Sequence, residues 1–583
     1  MQLPRRHGTA GSGGRYAAIV LTLVLALASR TARAASDCAS LTSVTPEAST
    51  ITSAAIVTPP ATINGVAVSV PFCRVQGVAR PSSDSEIKFE VWLPPTAAAW
   101  TGRMKVNGTG GYAGATPYAR LAQDIGDGFI TAGSNMGHDG GEAASWTLGH
   151  PEKVKDWGLR AHYYVATAAK TLSLSFYGQP VEHSYFEGCS NGGRQAMMMA
   201  QNYPELFDGI VAGAPSMFYP DLLFWLLWTG KTLTPVYGQP AALSTVKASL
   251  VTQRALEKCD AIDGLVDGQI TNPRACSFDI DSLGPAGENL LTEQELATVK
   301  AMYAGTTSET GQQRYAGAMF GSEAFFDPNF ADNGRYGPFI GHYVYSQDWS
   351  LAQWRGMINF SSVYDHAKEV LSPVTAAPSP DITAFVNRGG KLIHYHGWGD
   401  SVVPPNGSLG YFFALTQFEK LRHLPKEAFD RHIEKLTPQV VAATAQAFGK
   451  RVQQYHRLFL LPAVSHCGGG TGPNAIGGGA PEPTAALRDP EHHVVSAMIR
   501  WIEEGVAPEK IIATRYGTGS TVLRQRPLCA YPAQAVYNGS GSIDDAANFS
   551  CVTPKLQERT ITATDILLIQ NSLRQRDLKL PNR

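Results

Sequence analysis

His183-Ser184-Tyr185-Phe186-Glu187, then Gly188-Cys189-Ser190-Asn191-Gly192, then the run from Gly193 to Asn202 ahead of Pro204, is the stretch that decides the fold. Its first five residues read as a strand, Gly192 to Asn202 reads as a helix stopped before the proline, and the turn between them fits G-x-S-x-G. A serine on so sharp a strand-to-helix turn needs strained backbone angles and neighbours small enough for close approach, which is what the glycines supply. The helix behind it aims its first N–H groups at the place where an oxyanion would form. A chain with 58 glycines can produce G-x-S-x-G by chance. The strand and helix on either side favour a nucleophile.

Outward from that turn the rhythm is strand, helix, strand. Ile87, Phe89, Val91 and Leu93 alternate with Lys88, Glu90, Trp92 and Pro94, the period of a half-buried strand. Short apolar runs follow at Met104 to Val106 and Phe129 to Ala132, with a helical segment from Leu159 to Leu172 and a further buried strand at Ile210 to Ala212. From Ser216 to Pro380 this rhythm stops and aromatics crowd in, among them Phe218, Tyr219, Phe224, Trp225, Trp228, Phe325, Phe326, Trp349 and Trp354. It resumes with strands at Lys391 to Tyr395 and Leu458 to Leu461. A helix from Glu491 to Glu504 follows, with Val495, Met498, Ile499 and Ile502 on one face. The expected fold is α/β: an α/β-hydrolase fold with a mainly parallel sheet and a large inserted lid domain. The boundaries read as 35–215 and 381–583 for the two parts of the hydrolase domain and 216–380 for the lid.

A hydrolase of this type orders its triad as Ser, acid, His. Asp400 closes His396-Gly397-Trp398-Gly399-Asp400 at the end of the resumed strand, and His466 lies in the loop after Leu458 to Pro462. Any single aspartate could be a surface turn residue; position and chain order select Asp400. Of the fifteen histidines, His466 is the best base. His492 and His493 start the amphipathic helix and read as structural, while His394 and His396 precede the acid and are weaker candidates.

All eight cysteines follow residue 34, and none forms a C-x-x-C pair, so disulfides are favoured over zinc. Local spacing suggests Cys38–Cys73, Cys259–Cys276 and Cys529–Cys551, leaving Cys189–Cys467, although spacing does not prove connectivity. That last bond would join the residue before the nucleophile to the residue after the base. Its Cα atoms would stand at roughly 5.5–6 Å, which brings Ser190 beside His466.

The 583 residues carry 48 Lys and Arg against 49 Asp and Glu, a net charge of −1, with no long basic run. Nucleic acid is therefore not an expected partner. Hydrophobic residues at 44% and charged residues at 17% belong to a folded globular chain. Arg5, Arg6 and Arg15, the apolar run Tyr16 to Ala28 and the small-x-small site Ala32-Arg33-Ala34 read as a signal peptide over 1–34, with an uncleaved anchor as the alternative. A secreted or periplasmic protein, off the membrane after cleavage, is expected.

The chain resembles the tannase and feruloyl esterase family, which includes the mono(2-hydroxyethyl) terephthalate hydrolases. The resemblance rests on Gly188 to Arg194, Gly209-Ile210-Val211-Ala212-Gly213-Ala214-Pro215, Tyr395 to Asp400 and His466-Cys467, and spans most of the mature chain. It implies a serine esterase acting on a small aromatic ester, with Cys189 bonded to Cys467. A feruloyl or related hydroxycinnamoyl ester ranks first, a galloyl ester second and a terephthalate monoester third. The aromatics of 216–380, taken alone, read more simply as core. The resemblance also implies structural calcium in the lid, held by carboxylates of Asp260, Asp263 and Asp267 and carbonyls of Leu265 and Gln269; without it the loop is an acidic turn. No organic cofactor is implied. For the oxyanion hole it implies the N–H of Asn191 and that of Thr109 or Gly110, where Thr109 departs from the glycine usual in some relatives. Two rival readings are a serine carboxypeptidase and an inactive hydrolase fold acting as a calcium-dependent binding module.

Overall fold

The computed structural model describes residues 37–328, 335–554 and 560–577. The expected signal peptide, 1–34, lies outside them. Among the described residues nine strands form one sheet. They are β1 (Ser49–Val57), β2 (Phe72–Ala79), β3 (Ile87–Leu93), β4 (Arg103–Asn107), β5 (Ile130–Ser134), β6 (His183–Cys189), β7 (Gly209–Gly213), β8 (Lys391–Gly397) and β9 (His456–Leu461). Their spatial order is β1-β2-β3-β5-β4-β6-β7-β8-β9. From β5 to β9 every neighbouring pair is parallel, and the first three joints are antiparallel.

Helices α1 (Tyr118–Gly126), α2 (Ala161–Tyr177) and α3 (Asn191–Asn202) make the early crossovers. Between β7 and β8 the sheet gains no strand among the described residues; α4 (Tyr219–Leu233), α5 (Thr245–Cys259) and α6 (Ser362–Thr375) occupy that stretch. After β8 come α7 (Asn406–Leu421), α8 (Val494–Glu504) and α9 (Ala563–Arg574). One sheet face meets α1 and α8: Lys105 reaches Asp124 and Tyr185 reaches Glu503. The other face meets α2, where His162 lies edge-on to Phe186. Parallel strands covered on both sides tend toward near-continuous apolar runs, and β7 is buried at all five positions.

The half-buried reading of β3 is corrected. Glu90 and Trp92 are buried as well as the apolar set, because β2 and β5 flank the strand and the second face is also covered. Glu90 tolerates this by accepting hydrogen bonds from Arg74, Gln76, Trp92 and Tyr118. Other expected elements shift at their ends. The helix placed at Leu159 starts at Ala161, after a π-turn over Asp156–Arg160, and ends at Gly178 with φ 72°. The helix placed at Glu491 starts at Val494, with His493 as its N-cap residue. Within 216–380, Phe224, Trp225 and Trp354 are fully buried, which is core packing.

Candidate active site

β6 ends at Cys189 and α3 begins at Asn191, so Ser190 alone makes the turn. Its φ of 64° and ψ of −123° belong to a sparsely populated region that costs about 1–3 kcal/mol. Tight packing enforces it. A Cβ on Gly188 would stand 2.7 Å from the Gly192 main chain, and one on Gly193 would stand 2.3 Å from the Gly213 carbonyl. The Ser190 N–H donates to Gly213 O at 3.0 Å, which ties the turn to β7.

His466 and Asp400 come from the loops after β9 and β8, adjacent parallel strands whose ends meet beside Ser190. His466 Nε2 is 2.8 Å from Ser190 Oγ, and His466 Nδ1 is 2.7 Å from Asp400 Oδ2. The carboxylate can only accept, so Nδ1 carries the proton and Nε2 is free to take one from the serine. Asp400 is wholly buried, and its Oδ1 accepts from the main-chain N–H groups of Val402 (3.0 Å) and Val403 (2.8 Å). Burial pushes this carboxyl up, but the His466 charge and hydrogen bonds from His396 and His466 outweigh it and hold the group well below the usual carboxylate range.

All four expected disulfides are present: Cys38–Cys73, Cys189–Cys467, Cys259–Cys276 and Cys529–Cys551. The second spans 278 residues with Cα atoms 5.9 Å apart, and it pins the residues flanking Ser190 and His466 to each other. His492 pairs with Asp489, and His493 meets Ser496 and Glu482, so both are structural.

Asn191 and Gly110 line the cavity that opens at Ser190. The Thr109 N–H instead donates to Gln195 Oε1 at 3.0 Å. Of the two alternatives for the second donor, Gly110 lines the cavity and the Thr109 N–H is already engaged. Arg194, in the first turn of α3, is fully buried. It donates to Asn191 Oδ1 (2.7 Å) and to the carbonyls of Gly158, Thr375 and Trp157, and it lies over the Trp157 ring at 4.5 Å. Burial pushes its guanidinium down to about 10. It stood within the quoted motif, but nothing in the motif gave it this place.

The cavity holds about 400 Å³, enough for one small ligand. Tyr112, Tyr219, Leu222, Leu226, Tyr336 and Val403 form its apolar wall. The Tyr219 hydroxyl donates to the Tyr112 hydroxyl at 2.7 Å, and burial pushes both phenols up, so both stay neutral. Sequence reasoning found only Tyr219 among these, as one aromatic of many. The others carry no local pattern, since Tyr112 and Tyr336 meet only through the fold.

The acidic loop after α5 carries the three aspartates. Asp260 accepts from the N–H groups of Asp267, Gly268 and Gln269, Asp263 from Leu265 N–H and the Thr271 hydroxyl, and Asp267 Oδ2 from Arg526 at 2.5 Å. Among the described residues no cluster of three or more His, Cys, Asp or Glu stands ready as a metal cage. The loop's donor set is all oxygen, and Asp267 Oδ1 is buried without a hydrogen-bond partner, which fits a hard cation in chemistry.

Residues 73–552 match the model of the family described as tannase and feruloyl esterase. An uncharacterised esterase of Xanthomonas campestris is 35% identical over 561 residues, covering 90% of this chain and 92% of its own. A probable feruloyl esterase B-2 of Aspergillus terreus is 30% identical, covering 83% and 87%. Among solved structures, feruloyl esterase B from Aspergillus oryzae superposes with a TM-score of 0.74 at 28% identity, over 88% of this chain and 99% of that one. Tannin acyl hydrolase from Aspergillus niger reaches 0.68 at 18% identity, over 92% and 95%, a likeness of fold.

Proposed function

Because the chain belongs to the tannase and feruloyl esterase family and is a carboxylic ester hydrolase, we propose that it is an exported serine esterase cleaving feruloyl or related hydroxycinnamoyl esters through an acyl-enzyme. The observation that carries this is the unbroken chain of hydrogen bonds from Ser190 through His466 to Asp400 at the mouth of an aromatic-walled cavity. Ser190 Oγ attacks the ester carbonyl as His466 Nε2 takes its proton, while Asp400 fixes the tautomer and offsets the imidazolium charge. The main-chain N–H groups of Asn191 and Gly110 receive the oxyanion. His466 returns the proton to the leaving alkoxide, so the alcohol departs and the acyl group stays on Ser190. Water, deprotonated by His466, then releases the acid.

Tyr112, Tyr219 and Tyr336 offer flat faces for an aromatic acyl group, and the segment 216–380 acts as a lid over the site. Four disulfides support an oxidising compartment outside the cytoplasm. Asp260, Asp263 and Asp267, with the carbonyls of Leu265 and Gln269, would hold a calcium ion that supplies charge balance to this loop.

The deciding experiment sets wild type and Ser190→Ala side by side on methyl ferulate, methyl gallate, a terephthalate monoester and a peptide substrate. Ferulate hydrolysis by the wild type alone is expected. Activity surviving in Ser190→Ala, or cleavage of the peptide in place of any ester, overturns the reading.

A further inference from the structure

A line of buried polar groups runs inward from Asp400. His396 Nε2 is 3.1 Å from Asp400 Oδ2 and 2.8 Å from Val403 O. Its Nδ1 is 2.5 Å from Ser408 Oγ on α7, and Ser408 Oγ is 2.8 Å from His394 Nε2. Asp400, His396, Ser408 and His394 have no exposed surface, and His394 Nδ1 is buried without a hydrogen-bond partner.

These contacts fix the direction of every hydrogen. His396 Nε2 faces two acceptors, so it must carry a proton; a bare lone pair there would oppose both oxygens. If Nδ1 were protonated too, it would donate to Ser408, Ser408 would donate to His394 Nε2, and the His394 proton would sit on the unpartnered Nδ1. A buried N–H without an acceptor is costly, and a bare lone pair less so. The consistent arrangement runs one way: His394 Nε2–H donates to Ser408, Ser408 to His396 Nδ1, and His396 Nε2–H to Asp400 and Val403.

We infer that His396 is a positioning residue for Asp400, a neutral imidazole whose fixed Nε2–H completes the hydrogen bonding of the carboxylate that orients His466. The inference rests on the reading of Ser190, His466 and Asp400 given above. With His396 in place the carboxylate accepts from Val402, Val403, His466 and His396, which leaves it fully ionised without water. The other titratable groups facing this line are His466 from the loop after β9, His456 from β9, Tyr411 from α7 and Tyr315 from the segment before β8. Burial lowers His394 far below the ordinary histidine range and His456 to about 3, and it raises the phenols of Tyr411 and Tyr315, so these four groups bring no charge to Asp400 near neutral pH.

Removing the His396 N–H concentrates the Asp400 charge on His466 and raises the apparent pKa of the pair. His396→Leu is expected to lower kcat about 10- to 100-fold with KM nearly unchanged, as for loss of a hydrogen bond to a charged group. Its acid limb in kcat/KM should move up by about half a pH unit or more. His396→Gln, whose amide N–H reaches the same place, should recover most of kcat and return the limb. A limb that stays put in His396→Leu, or no recovery by Gln, overturns the inference, since a merely structural role lowers activity at every pH alike. Should the Leu variant fail to fold, wild type with 15N-labelled histidine decides. His396, identified by its loss in the Gln variant, should remain a neutral Nε2–H tautomer across the pH range in which activity changes. An Nδ1–H or doubly protonated ring overturns the inference. An active Ser190→Ala would sink the underlying triad instead, so the two failures stay distinct.

Discussion

Asp400 and Asp267 are both nearly buried carboxylates on tight loops, and their surroundings push them in opposite directions. Asp400 meets two amide N–H groups and two imidazoles, and it is held low. Asp267 is raised, by burial first; Arg526 and Arg524 oppose that, while the charges of Asp260 and Asp263 add to it. One Asp267 oxygen has no hydrogen-bond partner. The lesson is that burial alone does not set a carboxylate's state: a complete set of donors makes an anion stable inside protein, while neighbouring acids push one up. The disulfides repeat the contrast. Cys189–Cys467 joins residues 278 apart at the first site, and Cys259–Cys276 closes 17 residues at the second.

The comparison breaks most visibly at Asp400. Asp400→Asn should keep the fold and lose about 10⁴-fold in kcat, since an amide lets His466 take the wrong tautomer. A variant with more than about a hundredth of wild-type kcat would mean the carboxylate does not orient the base.

The disulfides sharpen it next. By chain entropy, Cys189→Ser with Cys467→Ser should cost roughly 5 kcal/mol and Cys259→Ser with Cys276→Ser roughly 3 kcal/mol, read from denaturant unfolding. The first pair should also abolish ester hydrolysis while the second spares it. Equal effects on activity would deny the long crosslink its role at the site.

Calcium at about 100 times its Kd should stabilise the protein by about 2.7 kcal/mol, read as a rise in Tm on adding calcium to chelator-treated protein. Asp267→Asn should remove that response and leave the triad hydrogen bonds untouched. A wild type that unfolds at the same temperature with calcium or chelator would return the loop to an ordinary acidic turn.

The smallest effect is a pH dependence. Asp400 has a folded pKa below its unfolded value of about 3.9. Its contribution to stability is therefore fully present above that value and is lost as pH falls through the folded pKa. The stability gap between wild type and Asp400→Asn should be constant from neutral pH down to about 4 and then narrow. A gap that widens on acidification would reverse the assigned direction.

By itself the sequence determined the strand-turn-helix around Ser190 and the parallel strands that end shortly before Asp400 and His466, and it suggested the four cysteine pairs without proving them. These are written in periodicity, turn residues and chain order, which are local properties. It left β1 and β2 unread: they are antiparallel, β1 at the sheet edge and β2 between β1 and β3, and lie outside the strand-helix-strand rhythm that marks the parallel strands. The tertiary structure alone decided that Gly110 rather than Thr109 faces the cavity, that Tyr112, Tyr219 and Tyr336 share one wall, and that His396 sits under Asp400. The first two depend on distances between residues remote in the chain, and the third on the path of the short turn after β8. Such distances are set by burial of the whole sheet and its helices, and no stretch of sequence contains them.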